Sequence, residues 1–239
     1  VTGGAGFVGS NLVTHLAAAG GHDLVVLDNE SLGNRNSIRS CAHSFIHGDI
    51  LDEACLRAAL EGMDVVVHLA ADTRVADSIT DPLHNFRNNV AGTFQLLNLA
   101  RAVGTPRIIV ASTGGAILGN ANPPIHEDMV ARPLAPYGAS KLAVEGYCSA
   151  YAACYGMSIA CLRFSNVYGP GSLHKGSVVA HFIKRLMQNG ELVIYGDGSQ
   201  RRDFLFGRDL MQGIETAILG SVTGVLQLGS GTPTSSSRP

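Results

Sequence analysis

The sequence predicts an α/β fold in which a doubly wound parallel sheet carries helices on both faces. Short apolar runs alternate with longer helical stretches along most of the chain, which is typical of repeated β-α units. A glycine-rich turn, VTGGAGFVGS, opens the chain and leads directly into the first helical stretch. The 239 residues are 46% hydrophobic and 15% charged, a composition that supports a sizeable core.

Five strands and four helices are predicted up to residue 165. The strands are DLVVLD (23–28), HSFIHGD (43–49), DVVVHLAA (64–71), RIIVAS (107–112) and IACLRFS (159–165). The helices are predicted over 8–19, 52–61, 82–103 and 137–155. Because strands and helices alternate, the strands are expected to run parallel.

The pattern changes after residue 165. We predict a helix over 178–188 and two short strands around a glycine-rich turn over 191–206. Residues 1–165 are therefore expected to form the sheet domain, and residues 166–239 part of a smaller lobe interleaved with the last sheet elements. Only two residues precede the glycine turn, and VLQLGSG near the other end looks like a further strand end, so we expect an internal fragment of a longer protein.

Composition argues against several functional classes. The net charge is −2 and no run of Lys or Arg occurs, so no nucleic-acid partner is expected. No apolar run approaches the roughly 20 residues of a membrane span, and no signal peptide is evident. The five cysteines are scattered without a CxxC pair, which indicates reduced core thiols in a cytosolic protein. Neither the cysteines nor the nine histidines form a pattern that predicts a metal site.

The opening turn indicates a dinucleotide site. Gly3, Gly6 and Gly9 allow a tight turn and a close backbone approach to a pyrophosphate at the start of a helix, and Gly4, Gly6 and Gly9 give GxGxxG. The motif alone is weak, but Asp28 ends the next strand 19 residues after Gly9. A carboxylate there suits the ribose hydroxyls of NAD and repels the extra phosphate of NADP. The alternative is that Asp28 simply starts a turn.

Asp49 ends the next strand, in HGDI. It could accept a hydrogen bond from the adenine amine, or it could cap the helix that follows at residue 52, and both interpretations remain open at this stage.

The pentad YGASK contains a possible acid–base pair. Tyr137 and Lys141 lie four residues apart and share a helix face, so that a nearby ammonium and an oxidised nicotinamide would both favour the phenolate. The alternative is an ordinary surface pair on a helix. A strand-end hydroxyl could bond both the phenol and a substrate oxygen, with Thr113 as first choice and Ser112 as second; the alternative is a hydroxyl that bonds the local backbone.

Nine stretches in order along the chain resemble the extended short-chain dehydrogenase/reductase family, and within it the NAD-dependent nucleotide-sugar epimerases of the UDP-glucose 4-epimerase type. The stretches are TGGAGFVGS, VVLDN, HGDILD, HLAA, NNVAGT, ASTGGA, PYGASKLAVE, LRFSNVYGPG and IYGDGSQRRDF. The resemblance implies a Rossmann sheet with bound NAD over residues 1–165 and a substrate lobe over 166–239. It also implies a homodimer in which helices 82–103 and 137–155 pair with their copies.

The resemblance assigns roles to particular residues. It implies Thr113, Tyr137 and Lys141 as the catalytic triad, and Asn166 and Arg202 as ligands of the nucleotide diphosphate. The alternative for Arg202 is a surface arginine paired with Asp203. The predicted cofactor contacts are Gly3, Gly6, Phe7, Val8, Gly9, Asp28, Asn29, Asp49, Ile50, Leu69, Ala70, Ala71, Asn89, Ser112, Tyr137 and Lys141.

The implied reaction inverts one sugar carbon, C4 in a UDP-glucose/UDP-galactose pair, through a keto intermediate. A dehydratase or decarboxylase of the same family, an ordinary dehydrogenase and a non-catalytic NAD-binding relative are the alternatives. Family dehydratases carry an Asp–Glu pair after the threonine, where this chain has Gly114 and Gly115. A carboxylate from elsewhere could serve instead, and Asp72, at the end of the strand DVVVHLAA, is the candidate. The chain also departs from the family pattern at Leu118, where tyrosine is usual, and at Gly207 and Arg208.

Overall fold

The computed structural model describes residues 1–41, 43–173, 176–194 and 196–235, and it confirms the predicted fold class. Six parallel strands form the main sheet, in the spatial order β2, β1, β3, β4, β5, β8. Their bounds are β1 Val25–Asp28, β2 Ser44–His47, β3 Val65–His68, β4 Arg107–Thr113, β5 Ser158–Phe164 and β8 Gly224–Leu228. Thr2 joins the two halves of the sheet, because it bridges Leu27 of β1 and His68 of β3.

Nine α-helices occur within the described residues. They are α1 Phe7–Ala19, α2 Glu53–Leu60, α3 Val75–Thr80, α4 Pro82–Phe86, α5 Gly92–Val103, α6 Gly114–Leu118, α7 Pro136–Tyr155, α8 Val178–Met187 and α9 Gly207–Leu219. A 3₁₀ turn covers Arg35–Ile38, and a π-helical turn covers Arg87–Ala91. Three further strands, β6 Asn166–Tyr168, β7 Arg201–Phe206 and β9 Pro233–Ser235, form a small separate sheet.

The two faces of the main sheet carry different apolar clusters, which is the physical basis of the doubly wound arrangement. Ile108 of β4 lies in a cluster with side chains of α2, α5 and α7, whereas its neighbour Ile109 lies in a cluster with side chains of α1 and α9. Val66 and Val67 of β3 divide in the same way. Successive strand residues point to opposite faces, so a strand covered by helices on both sides must be apolar throughout.

Three expectations need correction. The predicted helix 82–103 is interrupted by the π-helical turn, at which Asn89 turns its amide towards the segment after β3. Residues 191–194 form no strand, and residue 195 lies outside the described residues, so only the second of the two predicted lobe strands is present, as β7. Cys154 is exposed on α7 rather than part of the core.

In the part of the chain that the structure describes, no helix is both long enough and apolar enough to cross a bilayer.

Candidate active site

The glycine turn packs the start of α1 tightly against the sheet. Gly3 has a φ of +70°, and a Cβ there would lie 2.6 Å from the backbone nitrogen of Ala70. A Cβ on Gly9 would lie 2.1 Å from the carbonyl oxygen of Gly3. Gly6 caps α1 without a side-chain hydrogen bond, and the first turn of α1 carries no acidic residue. Phe7 and Val8 begin this helix, whose N-terminus favours an anion.

Asp28 faces this turn from the end of β1. Its Oδ2 accepts a hydrogen bond from the backbone nitrogen of Ala5 at 2.9 Å, and its Oδ1 accepts one from that of Glu30 at 2.7 Å. Each carboxylate oxygen can accept a second hydrogen bond, so the residue fits the ribose hydroxyls of NAD. The hydrogen bond to Ala5 also holds the glycine turn in place, and the hydrogen bond to Glu30 starts a turn after β1, as the alternative interpretation of Asp28 expects.

Asp49 and Asn29 meet at the edge of the sheet. Asn29 donates from Nδ2 to Asp49 Oδ2 at 2.7 Å, and Asp49 Oδ1 accepts from the backbone nitrogen of Leu51 at 2.8 Å. The capping interpretation of Asp49 is wrong, because Asp52 caps α2 by accepting from two backbone nitrogens. Ile50 follows, buried against α5, and a contact of these residues with the adenine stays a prediction.

The segment after β3 is held from two sides. The backbone nitrogen of Leu69 donates to the carbonyl of Thr2, and the backbone around Ala70 lies against Gly3. Asn89 is buried; its Oδ1 accepts from the backbone nitrogen of Asp72 at 2.8 Å, and its Nδ2 donates to the carbonyl of Asp72 at 2.9 Å. Asn89 therefore fixes the path that follows Leu69, Ala70 and Ala71 past the glycine turn.

Tyr137 and Thr113 are brought together at the carboxyl edge of the sheet. Thr113 ends β4, Tyr137 lies in the first turn of α7, and the Thr113 side chain lies close enough to the phenol to act on its pKa. Burial raises the pKa of Tyr137 to about 12; the Thr113 side chain lowers this pKa, and the charge of nearby Asp72 raises it. Removal of the phenol from water therefore outweighs the other effects that the protein has on this pKa.

Lys141 is buried one turn after Tyr137, so the alternative of a surface pair is wrong. Its Nζ donates to the carbonyl oxygen of Ala111 in β4 at 3.0 Å. Burial lowers the pKa of Lys141 to about 8, and interactions with Cys161, Cys148 and Glu145 act in the opposite direction.

Ser112 belongs to a different group from Thr113. Its hydroxyl donates to Glu145 Oε1 at 2.6 Å, on the side of β4 that faces α7. Glu145 also binds the guanidinium of Arg163 of β5 through both carboxylate oxygens, at 2.9 and 2.7 Å. Sequence reasoning missed this buried pair, although an arginine within the apolar run IACLRFS was a visible signal.

Gly114 and Gly115 differ in their surroundings. A Cβ on Gly114 would lie 2.2 Å from Nε2 of Gln227, whereas no atom lies within 4 Å of a Cβ on Gly115. Open space for a substrate is therefore a property of position 115. Leu118 is buried at the end of α6 rather than exposed to that space.

Asn166 and Arg202 line one small cavity of about 150 Å³ between β6, β7 and the start of α8. The Arg202 guanidinium donates to the carbonyl of Arg201 and to Oε1 of Gln200. Asp203 instead accepts hydrogen bonds from the backbone and hydroxyl of Ser230, so the pairing of Arg202 with Asp203 does not occur. The structure brings together the two residues expected at a diphosphate.

A larger cavity of about 770 Å³ lies at the N-terminus of α1. Among the described residues that line it, Gly6 and Phe7 belong to the glycine turn, and Arg74 and Arg208 carry full charges, both positive. Arg208, one of the departures from the family pattern, thus faces the end of α1 that favours an anion.

The fold, the glycine turn, and the Thr113, Tyr137 and Lys141 cluster define an enzyme of the short-chain dehydrogenase/reductase class that uses a dinucleotide. Residues 1–226 match the family model described as the NAD dependent epimerase/dehydratase family. The chain belongs to this family, and its cofactor is NAD.

Known proteins similar to the chain include both epimerases and dehydratases. It is 37% identical to the UDP-glucose 4-epimerase of Mycolicibacterium smegmatis, over 88% of this chain and 70% of that protein. The crystal structure of the Thermotoga maritima UDP-glucose 4-epimerase with UDP-glucose has a TM-score of 0.93 and 33% identity, and covers 98% of this chain and 77% of the other. A dTDP-glucose 4,6-dehydratase from Streptomyces venezuelae, with NAD bound, has a TM-score of 0.92 and 32% identity over 98% and 76% of the two chains.

Proposed function

We propose that the chain catalyses the NAD-dependent epimerisation of a nucleotide sugar of the UDP-glucose/UDP-galactose type, at C4, through a keto intermediate. The observation that carries this proposal is the buried Tyr137 phenol, with Thr113 close enough to act on its pKa, beside a position, Gly115, that has open space and no acidic side chain. The names of the M. smegmatis and T. maritima relatives support the same substrate class.

Tyr137 is the acid–base group of this proposal. As a phenolate it accepts the proton of the sugar hydroxyl, and as a phenol it returns a proton to the keto oxygen. When bound, NAD supplies a hydride acceptor and the positive charge of its oxidised ring. Protein groups alone raise the pKa of Tyr137 to about 12, so positive charge beside the phenol is needed to form the phenolate near neutral pH.

Thr113 and Lys141 orient the reacting groups in this proposal. The Thr113 hydroxyl bonds the phenol and is placed to bond the substrate oxygen next to it. Lys141 is anchored to the end of β4 by its hydrogen bond to Ala111, and its ammonium adds positive charge on the same helix face as Tyr137.

A nucleotide-sugar dehydratase is the second candidate, favoured by the position of Asp72 and by the similarity to the S. venezuelae enzyme. Asp72 lies close enough to Tyr137 for its charge to raise the pKa of the phenol. Elimination of water needs an acid for the leaving hydroxyl and a base for the neighbouring carbon, and Gly114 and Gly115 supply neither. Asp72 alone is one carboxylate where two groups are needed, so we favour epimerisation.

Product analysis separates the two functions. The protein, purified with NAD, is incubated with UDP-glucose, UDP-galactose and dTDP-glucose, and the products are examined by NMR and mass spectrometry. We expect an epimer of unchanged mass and no net consumption of NAD. Loss of water from the sugar would overturn the assignment in favour of a dehydratase, and Tyr137→Phe, which should be inactive in either case, controls for contaminating enzymes.

We also propose that residues 1–165 form most of the NAD-binding domain, and that residues 166–239 combine part of the substrate lobe with the last elements of the main sheet, α9 and β8, with Asn166 and Arg202 at the nucleotide diphosphate. Guanidinium groups bind phosphate oxygens in pairs, which suits Arg202 to that position. Replacement of Arg202 by Lys should raise the KM for the nucleotide sugar more than it lowers kcat. An unchanged KM would argue against this role.

A homodimer built on α5 and α7, in a cytoplasmic protein, completes the proposal. Phe94 of α5 packs edge-to-face on Tyr147 of α7, with ring centroids 5.3 Å apart. Phe94, Tyr147 and Tyr155 remain 40%, 42% and 52% exposed, which gives the two helices an aromatic surface that a second copy could cover. We expect sedimentation at micromolar concentration to give a dimer, and Tyr147→Glu to give a monomer; a monomeric unmodified protein would refute the arrangement.

A further inference from the structure

A buried ionic network lies directly behind the candidate catalytic residues. Glu145 and Arg163 form an ion pair of 2.7 Å in which each side chain is 5% exposed, and the Ser112 hydroxyl donates to the same carboxylate. Arg163 reaches further, because its Nη1 donates to the carbonyl of Glu127 at 3.3 Å. The carboxylate of Glu145 therefore accepts three hydrogen bonds from two neighbouring strands.

The network joins the elements that carry the catalytic side chains. Glu145 lies one helical turn after Lys141 and two turns after Tyr137, on the same face of α7. Ser112 directly precedes Thr113 in β4, and its Cα is paired in the sheet with that of Arg163 in β5. The Glu145 carboxylate thus fixes the position of α7 relative to the ends of β4 and β5.

Stability alone does not account for charged residues at this place. The desolvation of two buried charges offsets much of their attraction, and apolar residues of similar volume often stabilise such a site equally well. The surrounding cluster, with Val144, Cys148 and Cys161 as neighbours, is otherwise apolar. An ion pair with fixed geometry is therefore better explained by the orientation that it imposes.

We propose, on the basis of the function proposed above, that Glu145 is a positioning residue: through Ser112 it fixes Thr113, and through α7 it fixes Lys141, at the spacing that Tyr137 requires. Arg163 holds the Glu145 carboxylate in place, and neither residue touches the reacting atoms.

Glu145 also has an electrostatic effect on Lys141. The charged and titratable groups around the ammonium are Tyr137, Glu145 and Cys148 on α7, Cys161 and Arg163 on β5, and His68 on β3. The carboxylate of Glu145 raises the pKa of Lys141, in the direction opposite to the effect of burial.

The test uses three variants of the full chain with NAD bound. Glu145→Leu/Arg163→Met replaces the ion pair with apolar side chains of similar size, and Ser112→Ala removes one hydrogen bond but keeps the pair. Glu145→Gln removes only the negative charge of the pair and keeps the size of the side chain. Glu53→Gln removes one partner of the exposed Glu53–Arg57 pair on α2 and is the control. Thermal unfolding and NAD binding establish first that each variant is folded.

The direct readout is the titration of Lys141, followed by NMR of isotope-labelled lysine, which needs no substrate. We expect the Lys141 signal to titrate at lower pH in Glu145→Gln than in the unmodified protein, because the negative charge is lost while the Arg163 cation remains, and at an unchanged pH in Glu53→Gln. An unchanged titration in folded Glu145→Gln would overturn the electrostatic role of Glu145.

The kinetic readout tests the positioning role. We expect kcat to fall roughly 10- to 100-fold in the double variant and less in Ser112→Ala, with little change in KM, because small displacements of catalytic groups have effects of this size. Folded variants with kcat within about twofold of the unmodified protein would refute the proposal. If the double variant does not fold, kcat of Ser112→Ala decides in the same way.

The proposed function can fail separately from this inference. If no nucleotide sugar is epimerised, the epimerase assignment is wrong, while the Lys141 titration still supports or overturns the role of Glu145.

Discussion

Acid should destabilise the protein through His68, a buried histidine. This residue ends β3, is 3% exposed and is hydrogen-bonded on both ring nitrogens. The Thr93 hydroxyl donates to the carbonyl of Asn89 at 2.6 Å, so its oxygen is available to accept from Nε2–H of His68 at 3.0 Å. Nδ1 then accepts from the hydroxyl of Thr2 at 2.7 Å. This arrangement fits a neutral imidazole, and a second proton would place an uncompensated charge in the core.

The magnitude follows from the pKa of His68. Burial, together with the cation of Lys141, lowers this pKa from 6.5 to about 3. The unfolded chain therefore takes up a proton below pH 6.5 while the folded protein does not, and stability falls as the pH decreases. Each pH unit costs about 1.4 kcal/mol, so acidification from pH 6.5 to 4.5 should lower the free energy of unfolding by about 2 to 3 kcal/mol. For a chain of this length the melting temperature should fall by roughly 4 to 12 °C.

Thermal unfolding between pH 7 and 4.5 tests this reasoning with two matched variants. Glutamine at position 68 can accept from Thr2 and donate to Thr93 without titrating, so His68→Gln should show a much shallower loss of stability on acidification. His181→Gln, at an exposed histidine of α8, should behave like the unmodified protein. If the unmodified protein and His68→Gln lose stability in parallel, the acid sensitivity does not arise from His68.

Three further predictions concern the cofactor site and the acid–base group. Gly9→Ala places a methyl group against the backbone of Gly3 and should lower the free energy of unfolding by about 1 to 3 kcal/mol. In Gly6→Ala the nearest atom to the new methyl group is 3.3 Å away, so this variant should fold normally but bind NAD more weakly by calorimetry. Equal melting temperatures of the two variants would refute the packing role of Gly9. Asp28→Ala should weaken NAD binding by roughly 10- to 100-fold and reduce the preference over NADP, and an unmodified protein that prefers NADP in titrations would contradict this. Tyr137→Phe should lower kcat by about 100- to 10,000-fold while NAD binding is retained; unchanged turnover would rule out Tyr137 as the base.

The local parts of the site could be predicted from the sequence because each depends on a short spacing. The glycine turn with Asp28 occupies one β-α-β unit, and Tyr137 and Lys141 are one helical turn apart. Contacts between distant elements could not be predicted in this way. Glu145 and Arg163 pair between a helix and a strand, and nothing in the residues between them indicates which charged residue is the partner.

Two segments after residue 165 differ in how well their sequence indicates their structure. Helix α9 follows β7 without a break, and its buried residues Leu210, Met211, Ile214 and Ala217 have helical spacing. This periodicity was readable, yet Gly207 and Arg208 at its start resemble a loop. Residues 191–194 are the opposite case: ELVI has the composition of a strand, but Leu192, Val193 and Ile194 remain exposed and form no ladder. Strand propensity depends on packing against neighbours, which a local sequence does not specify.

The pKa of Tyr137 shows why identifying a catalytic group is easier than predicting its energetics. Spacing alone suggests that Lys141 stabilises the phenolate, but Lys141 donates to the carbonyl of Ala111, and its own pKa falls to about 8 because it is buried. Burial acts on both residues in the same direction, towards the neutral form: it raises the pKa of the phenol and lowers that of the ammonium. The Thr113 side chain and the charge of Glu145 each oppose this effect at one residue. The pKa of the tyrosine in this fold therefore reflects its burial, the Thr113 side chain at the end of β4 and the charge of Asp72, which the four-residue spacing to its lysine does not reveal.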